Sequence, residues 1–377
     1  ISLPALTTVG SYFLRNAIAL TSVSLPALTT ANMYALQNCE ALTSVSLPEL
    51  TTVARNFLAY ADELVSISLP KLTTVTGGYF LHNAHKLTTI SMPEVTSIMG
   101  QNFLGSPACE LEEINFPKLT EILGGINDQP FKRCHLKTLA LDALTDISLL
   151  PLYGDSFDSK NTIETVSLNA ATTVTKDKFL YDTEQLTSVS LPALTSVSGN
   201  DFMRETVGLT SVSMNELVNV TGNYFLHRST SNSQIIDTID FPKLQEVSGT
   251  YFASNIPTKN IALDSLIDIT EIGIISNVLR PILETASFNA VTTVTQDNFL
   301  KNFDLLTSVS MNALTSVSGN DFMRESDTLT SIEFPALTSV TGNSFLSNNR
   351  NLRELSLPEL TTITVSYTHL TLPTKVT

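Results

Sequence analysis

Basic side chains are scarce in this sequence. Lys and Arg number 21 against 36 Asp and Glu in 377 residues, a formal net charge of −15. Without a basic cluster to neutralise phosphates, nucleic acid is excluded as a natural partner, and an anionic membrane surface fits no better. Long apolar runs are missing too. Ser and Thr interrupt the sequence every few positions, so no stretch approaches the roughly 20 residues that span a bilayer, and no membrane insertion is expected within this chain. Charged residues make up only 15% while hydrophobic ones reach 42%, too apolar a balance for a disordered chain. The chain opens at Ile1 with neither a basic stretch nor an apolar signal segment, so export is not readable from this end.

Patterns that carry chemistry are equally sparse. There is no G-x-S-x-G, and Gly77-Gly78 and Gly124-Gly125 lack the Lys and the following helix of a phosphate-binding loop. The five histidines are scattered. His82 and His85 form an H-x-x-H without a third ligand, and Cys134-His135 with Asp128 matches no ligand spacing. Gly199-Asn200-Asp201 and Gly319-Asn320-Asp321 lack the dense carboxylates of a calcium site, so turn chemistry is their better account. Cysteines number three, so they cannot all pair with one another. Cys39 takes a slot, three before Leu42, that holds Ala17, Ala61 and Ala84 elsewhere, and reads as a small buried residue. Cys109 and Cys134 fall in neighbouring repeats, where stacking can bring them together. Buried free thiols are the favoured reading, and the redox compartment stays open. The expectation is a chain that is not an enzyme and uses no metal or cofactor.

What the sequence has is a repeat. L-T-S-V-S-L-P recurs at Leu20 to Pro26 and Leu42 to Pro48 and, edited, at Leu64 to Pro70, so its last apolar slot falls at Leu3, Leu25, Leu47 and Leu69. The slot continues through Met92, Phe116, Leu141, Leu168, Leu191, Met214, Phe241, Leu263, Phe288, Met311, Phe334 and Leu357, in steps of 22 to 27, giving sixteen coils. The tight alternation Leu20, Val23, Leu25 suits a short strand with Val23 and Leu25 inward and Ser22 and Ser24 outward. Pro26 ends it, having no N–H for a ladder. Elsewhere Asp142, Asn169, Asn215, Asp264, Asn289 and Asn312 fill that place as turn formers.

The second half of a coil, as in Leu72-Thr73-Thr74-Val75-Thr76, is β-branched and predicts a second strand. Gly77, Gly199, Gly222, Gly249, Gly319 and Gly342 then suggest a positive-φ turn ahead of Phe80, Phe202, Phe225, Phe252, Phe322 and Phe345, which should plug the core at the outer corner. The predicted core includes Val23, Leu25, Val45, Leu47, Val189, Leu191, Val309 and Met311. A larger period sits above the coil: residues 163 to 205 match 283 to 325 at an offset of 120, the mark of a duplicated block of five coils.

The pattern L-x-x-(V/I)-x-L-P-x-L-x-x-(V/I)-x-x-x-x-F, in sixteen in-phase copies over residues 1 to 364, resembles the BspA-like leucine-rich repeats. The resemblance implies a β-rich, right-handed parallel solenoid forming one domain over 1 to 364. It also implies a cell-surface or secreted microbial protein for which adhesion to host or neighbouring-cell proteins is the commonly proposed role. Leu28 and Leu50 stand where the commoner leucine-rich pattern has asparagine, so that asparagine ladder should be absent. Residues 365 to 377 break the register, and SYTHLTLPTK looks like translated adaptor sequence. With Ile1 entering mid-coil, the chain reads as truncated at both ends.

The candidate binding face is the outward side of the first strands. Its slots hold Ser22 and Ser24, Ser44 and Ser46, Ser66 and Ser68, Ser188 and Ser190, Ser211 and Ser213, and Ser308 and Ser310. Such a hydroxyl pavement offers little energy per coil, so binding along it should be weak, extended and multivalent. An insertion carrying Tyr153, Asp155, Phe157 and Asp158 is a second possible contact. The alternatives are a structural stalk or spacer and, remotely, ice binding through strand-spaced threonines such as Thr74 and Thr76.

Overall fold

The computed structural model describes residues 1–105, 110–124, 130–131, 134–150, 162–229, 234–269 and 282–364. The insertion with Tyr153, Asp155, Phe157 and Asp158, together with Cys109, Asp128 and the 365–377 tail, lies outside the described residues. Two compact units divide the chain: Ile1–Val174 with Asp182–Leu191, and Thr175–Tyr181 with Pro192–Thr377.

In each unit the coils stack through parallel strands. The first strands of the first unit are Ser22–Ser24, Ser44–Ser46, Ser66–Ser68, Thr89–Ser91, Glu113–Asn115, Thr138–Ala140, Thr165–Ser167 and Ser188–Ser190, preceded by a bridge from Ser2 to Ser24. Those of the second are Ser211–Ser213, Ile236–Asp240, Thr258–Ala262, Thr285–Ser287, Ser308–Ser310, Ser331–Glu333 and Glu354–Ser356. With the bridge they mark sixteen coils, as the slot arithmetic predicts. Where strands pair the register is in phase: Val23 lies beside Val45, and Val166 beside Val189. The β-branched second half forms the predicted second strand, from Thr8–Val9 to Glu121–Leu123 in one six-stranded parallel sheet of the first unit. Around each proline the strand exits by a tight turn, with the Leu28 N–H donating to Leu25 O at 3.1 Å across Pro26.

The corner aromatics are buried and stack from coil to coil. Phe80 and Phe103 lie 5.0 Å apart, Phe202 and Phe225 4.9 Å, and Phe225 and Phe252 4.9 Å. Such ladders add geometry-specific attraction to the area they bury.

Three expectations need correction. The glycines ahead of the aromatics are not at positive φ; among the described residues the one positive-φ glycine is Gly124. They are required because backbones touch: a Cβ on Gly222 would lie 2.0 Å from Gly199 O, and one on Gly249 2.0 Å from Gly222 O. The left-handed conformation falls instead on the next side of the coil, at alternate residues such as Tyr12, Leu14 and Asn16, or Asp201, Met203 and Glu205. Successive N–H groups there donate alternately to the next coil and the preceding one: Tyr34 N–H to Arg55 O at 2.8 Å, and Leu36 N–H to Phe13 O at 2.9 Å. This third hydrogen-bonded side was not predicted.

The second correction concerns the core. Val23, Leu25, Leu47, Val189, Leu191 and Met311 are buried, but Val45 and Val309 are half-exposed. Each sits on the last strand before a gap in the first-strand sheet, as do Ile90 and Val212. At an intact rung the Leu69 N–H donates to Ser91 O at 2.9 Å; Leu47, Met92, Met214 and Met311 make no such bond among the described residues. Three of these four gaps precede a phenylalanine in the slot. Phe116, Phe241 and Phe334 reach across to the corner ring of the preceding coil, at 6.3 Å from Phe103, 6.1 Å from Phe225 and 5.9 Å from Phe322. A ring wedged there holds its strand away from its neighbour. Nothing in the structure explains the fourth gap, after Leu47.

Third, the turn-forming Asp and Asn side chains act across coils as well as locally. Asn169 Oδ1 accepts the Ser190 hydroxyl at 2.9 Å, Asn289 Oδ1 that of Ser310 at 2.6 Å, and Asp142 and Asp264 accept Ser167 and Ser287. A ladder of Asp and Asn side chains forms elsewhere, at the glycine turn and not at the position of Leu28 and Leu50: Asp177 Oδ1 accepts the Asn200 N–H at 2.7 Å, and Asn200 Oδ1 accepts the Asn223 N–H at 3.1 Å.

Candidate interaction surfaces

The hydroxyl face is not uniform. Ser22, Ser44, Ser46, Ser66 and Ser68 are exposed, whereas Ser188 and Ser190 are half-buried, as are Ser213 and Ser310, and Ser211 and Ser308 are exposed. Ser190 and Ser310 already spend their hydroxyls on Asn169 and Asn289. The accessible part of the predicted surface therefore concentrates in the first coils. There the gap after Met92 opens a groove of about 330 Å³ lined by Thr89, Ser91, Met92, Glu113 and Asn115 among others. Half-exposed Ile90 adds apolar surface to its floor. Of the threonines considered for ice, Thr76 donates to Val53 O at 3.1 Å and Thr74 lies 3.4 Å from the Thr73 hydroxyl.

Sequence reasoning missed a second surface on the left-handed side. Tyr12 and Tyr34 stack at 5.0 Å with the Arg15 guanidinium 5.4 Å from both rings, and Arg55 lies 5.1 Å from the Tyr79 ring. Tyr60 and Tyr79 both meet His82 edge-on, at 5.7 and 5.2 Å. In the second unit Arg204 lies 4.6 Å from the Tyr224 ring, and Tyr224 stacks on Tyr251 at 5.0 Å. The signal was present, since tyrosines recur one residue before the corner aromatic at Tyr12, Tyr79, Tyr224 and Tyr251, and Tyr34 holds the same slot ahead of Ala35.

The remaining candidates resolve into structural roles. His85 pairs with Asp62 at 3.2 Å, while His82 packs between tyrosines, and burial pushes the His82 and His227 imidazoles below their ordinary value. Among the described residues no three His, Cys, Asp or Glu side chains gather as metal ligands. Cys39 is buried and donates to Leu14 O at 3.2 Å; burial raises its thiol. Cys134 does the same to Leu104 O at 3.3 Å and Ser326 to Leu300 O at 3.3 Å, so this slot selects a small volume and pairs a donor where it holds one. No helix among the described residues is long and apolar enough to cross a membrane.

No curated protein matches the sequence. Among solved structures, a leucine-rich repeat protein from Bacteroides ovatus is similar at 17% identity, covering 84% of this chain and 78% of its own, with a TM-score of 0.45. A leucine-rich cell surface protein from Faecalibacterium prausnitzii, also at 17% identity, covers 82% and 78% with a TM-score of 0.34. The pneumococcal vaccine antigen PcpA, at 13% identity, covers 97% and 89% with a TM-score of 0.31. The sequence itself matches the BspA type leucine-rich repeat region in six copies over residues 7–137, 108–233 and 282–370. With that match over most of the chain, and with in-phase parallel coils built on the leucine slot, the chain belongs to the BspA-type leucine-rich repeat family.

Proposed function

We propose that this chain is a non-enzymatic interaction module of a secreted or cell-surface protein, and that it adheres to host or neighbouring-cell proteins along its first-strand face. The observation that carries this reading is the accessible row in the first coils, where exposed serines flank gaps floored by Val45 and Ile90. Small hydroxyls around half-exposed aliphatic side chains suit shallow, repeated protein contacts. The insertion bearing Tyr153, Asp155, Phe157 and Asp158 is a further contact within the same reading, as is a single solenoid over residues 1 to 364.

The test is to immobilise the whole chain and measure binding of matrix proteins and intact cells. Saturable binding that falls at least about tenfold when Ser44, Ser46, Ser66 and Ser68 are replaced by Lys supports the adhesin. A structural spacer is the second reading. It is favoured by the threonine hydroxyls that tie each coil to the one before, as Thr29 does to Thr7 O at 3.1 Å and Thr51 to Thr29 O at 3.0 Å. Absence of binding at high surface density selects it.

A further inference from the structure

The described lysines and arginines of the first unit fall into two classes. Lys71, Lys86, Lys118 and Lys137 each sit 2.7 to 2.8 Å from a glutamate of the preceding coil: Glu49, Glu63, Glu94 and Glu112. Arg15 and Arg55 are exposed, and among the described residues neither has a carboxylate within ion-pairing distance. Both lie on tyrosine rings instead. Tyr34 joins the two, because its ring contacts Arg15 while its N–H donates to Arg55 O at 2.8 Å. The cluster of Tyr12, Arg15, Tyr34, Arg55 and Tyr79 thus crosses four successive coils, about 14 Å at the usual strand spacing.

We propose that this cluster is a docking surface for an acidic segment of a partner protein. Arginine and tyrosine are the residues that supply most binding energy at protein interfaces, and here the rings pre-order the guanidinium groups. In a chain of net charge −15, two unneutralised guanidiniums two coils apart are the feature that selects a carboxylate-bearing partner. The second unit contains its own control. Arg204 lies on Tyr224 in the same manner but is neutralised by Asp201 at 2.9 Å and Glu205 at 3.6 Å, so it has no charge to offer a partner.

The proposal rests on the reading of the chain as an interaction module but uses a different face, so the two fail separately. The probe is a fluorescein-labelled twelve-residue peptide alternating Glu and Ser, compared with a Gln–Ser peptide and a heparin fragment, against the full chain at two salt concentrations. The Glu–Ser peptide should bind, and bind more weakly at higher salt. Arg15→Gln with Arg55→Gln should weaken it about fivefold or more, with circular dichroism unchanged because both side chains are exposed. Arg204→Gln and the serine-to-lysine variant at Ser44, Ser46, Ser66 and Ser68 should bind no more weakly than the unaltered chain. Equal binding of the Gln–Ser peptide, undiminished binding by the double variant, equal weakening by Arg204→Gln, or binding of heparin alone overturns the proposal.

Discussion

Bulky residues with left-handed backbone recur in coil after coil, at Leu14, Leu36, Leu58, Leu81, Met203 and Met323. Each such residue costs about 1 kcal/mol or more in isolation, so the conformation persists only where stacking over-determines it. The coil-to-coil bonds on that side, such as Leu81 N–H to Phe57 O at 3.0 Å, supply the restraint. No β-branched residue occupies any of these positive-φ positions, although Val, Ile and Thr dominate both strand columns. The histidines behind this side have an energetic consequence of their own. Among the described residues the Nδ1 of His82 and of His227 has no hydrogen-bond partner, and burial favours the neutral form of both; Glu205 and Asp201 oppose the effect at His227, and Arg204 adds to it. Above about pH 6.5 the imidazoles are neutral in the folded and unfolded chain alike and contribute nothing. Below it the unfolded chain takes up protons that the folded slot refuses, so stability falls as pH drops and levels off beneath the lowered folded pKa. The melting temperature should therefore fall between pH 7.5 and 5.5. Replacing His82 and His227 by Gln, the residue at the equivalent Gln37, should flatten that fall; an unchanged slope would show that other groups carry it.

Strand pairing explains how one slot residue sets the openness of a whole rung. Where the slot holds Leu in both coils the ladder bond usually forms, as from Leu141 N–H to Ser167 O at 3.0 Å. Where Met is followed by Phe the ring leans on the preceding corner aromatic and the bond is lost. Phe288 follows Leu263 instead of Met, and there the adjoining rung is closed, with Leu263 N–H donating to Ser287 O at 2.9 Å. Phe116→Leu should accordingly close the groove at Met92. The Met92 amide should gain protection from hydrogen exchange, at a cost of about 1 kcal/mol in lost ring contacts; a Met92 amide that exchanges as fast as before would refute the wedge. The contrast also shows how far sequence reading reaches. Strand positions, turn residues and the corner aromatics follow from a period and an alternation, and Val23, Leu25 and Phe80 lie where the pattern puts them. Three of the four gaps depend on which ring a side chain leans against, which no periodicity encodes, and so Val309 was misread as core; Val45 was misread beside the gap that has no such ring. The tyrosine–arginine cluster escaped notice because alternating left-handed residues bring Tyr12, Arg15 and Tyr34 to one side, an arrangement belonging to neither helical nor strand spacing.

At the scale of the molecule, local sequence determines local geometry twice over. In the duplicated block Phe179 and Phe202 stack at 5.3 Å and 8°, and Phe299 and Phe322 repeat both values. Asp177 takes the Asn200 N–H at 2.7 Å and Asp297 the Asn320 N–H at 2.7 Å. A coil that reproduces its geometry 120 residues later is specified by itself and its immediate neighbours. Stability should then be a sum of coil and nearest-neighbour contributions, with local unfolding in place of a single all-or-none transition. Val189→Asp tests this. Val189 is buried beside Val166, so an aspartate there enters an apolar ladder without a partner, at a cost of several kcal/mol. Hydrogen exchange should show protection lost at Thr165–Ser167 and Ser188–Ser190, while Thr52–Val53 and Thr74–Val75, several coils away in the same unit, keep theirs. Loss of protection at all four strands together would mean that the first unit unfolds as one cooperative body and that nearest-neighbour additivity does not describe it.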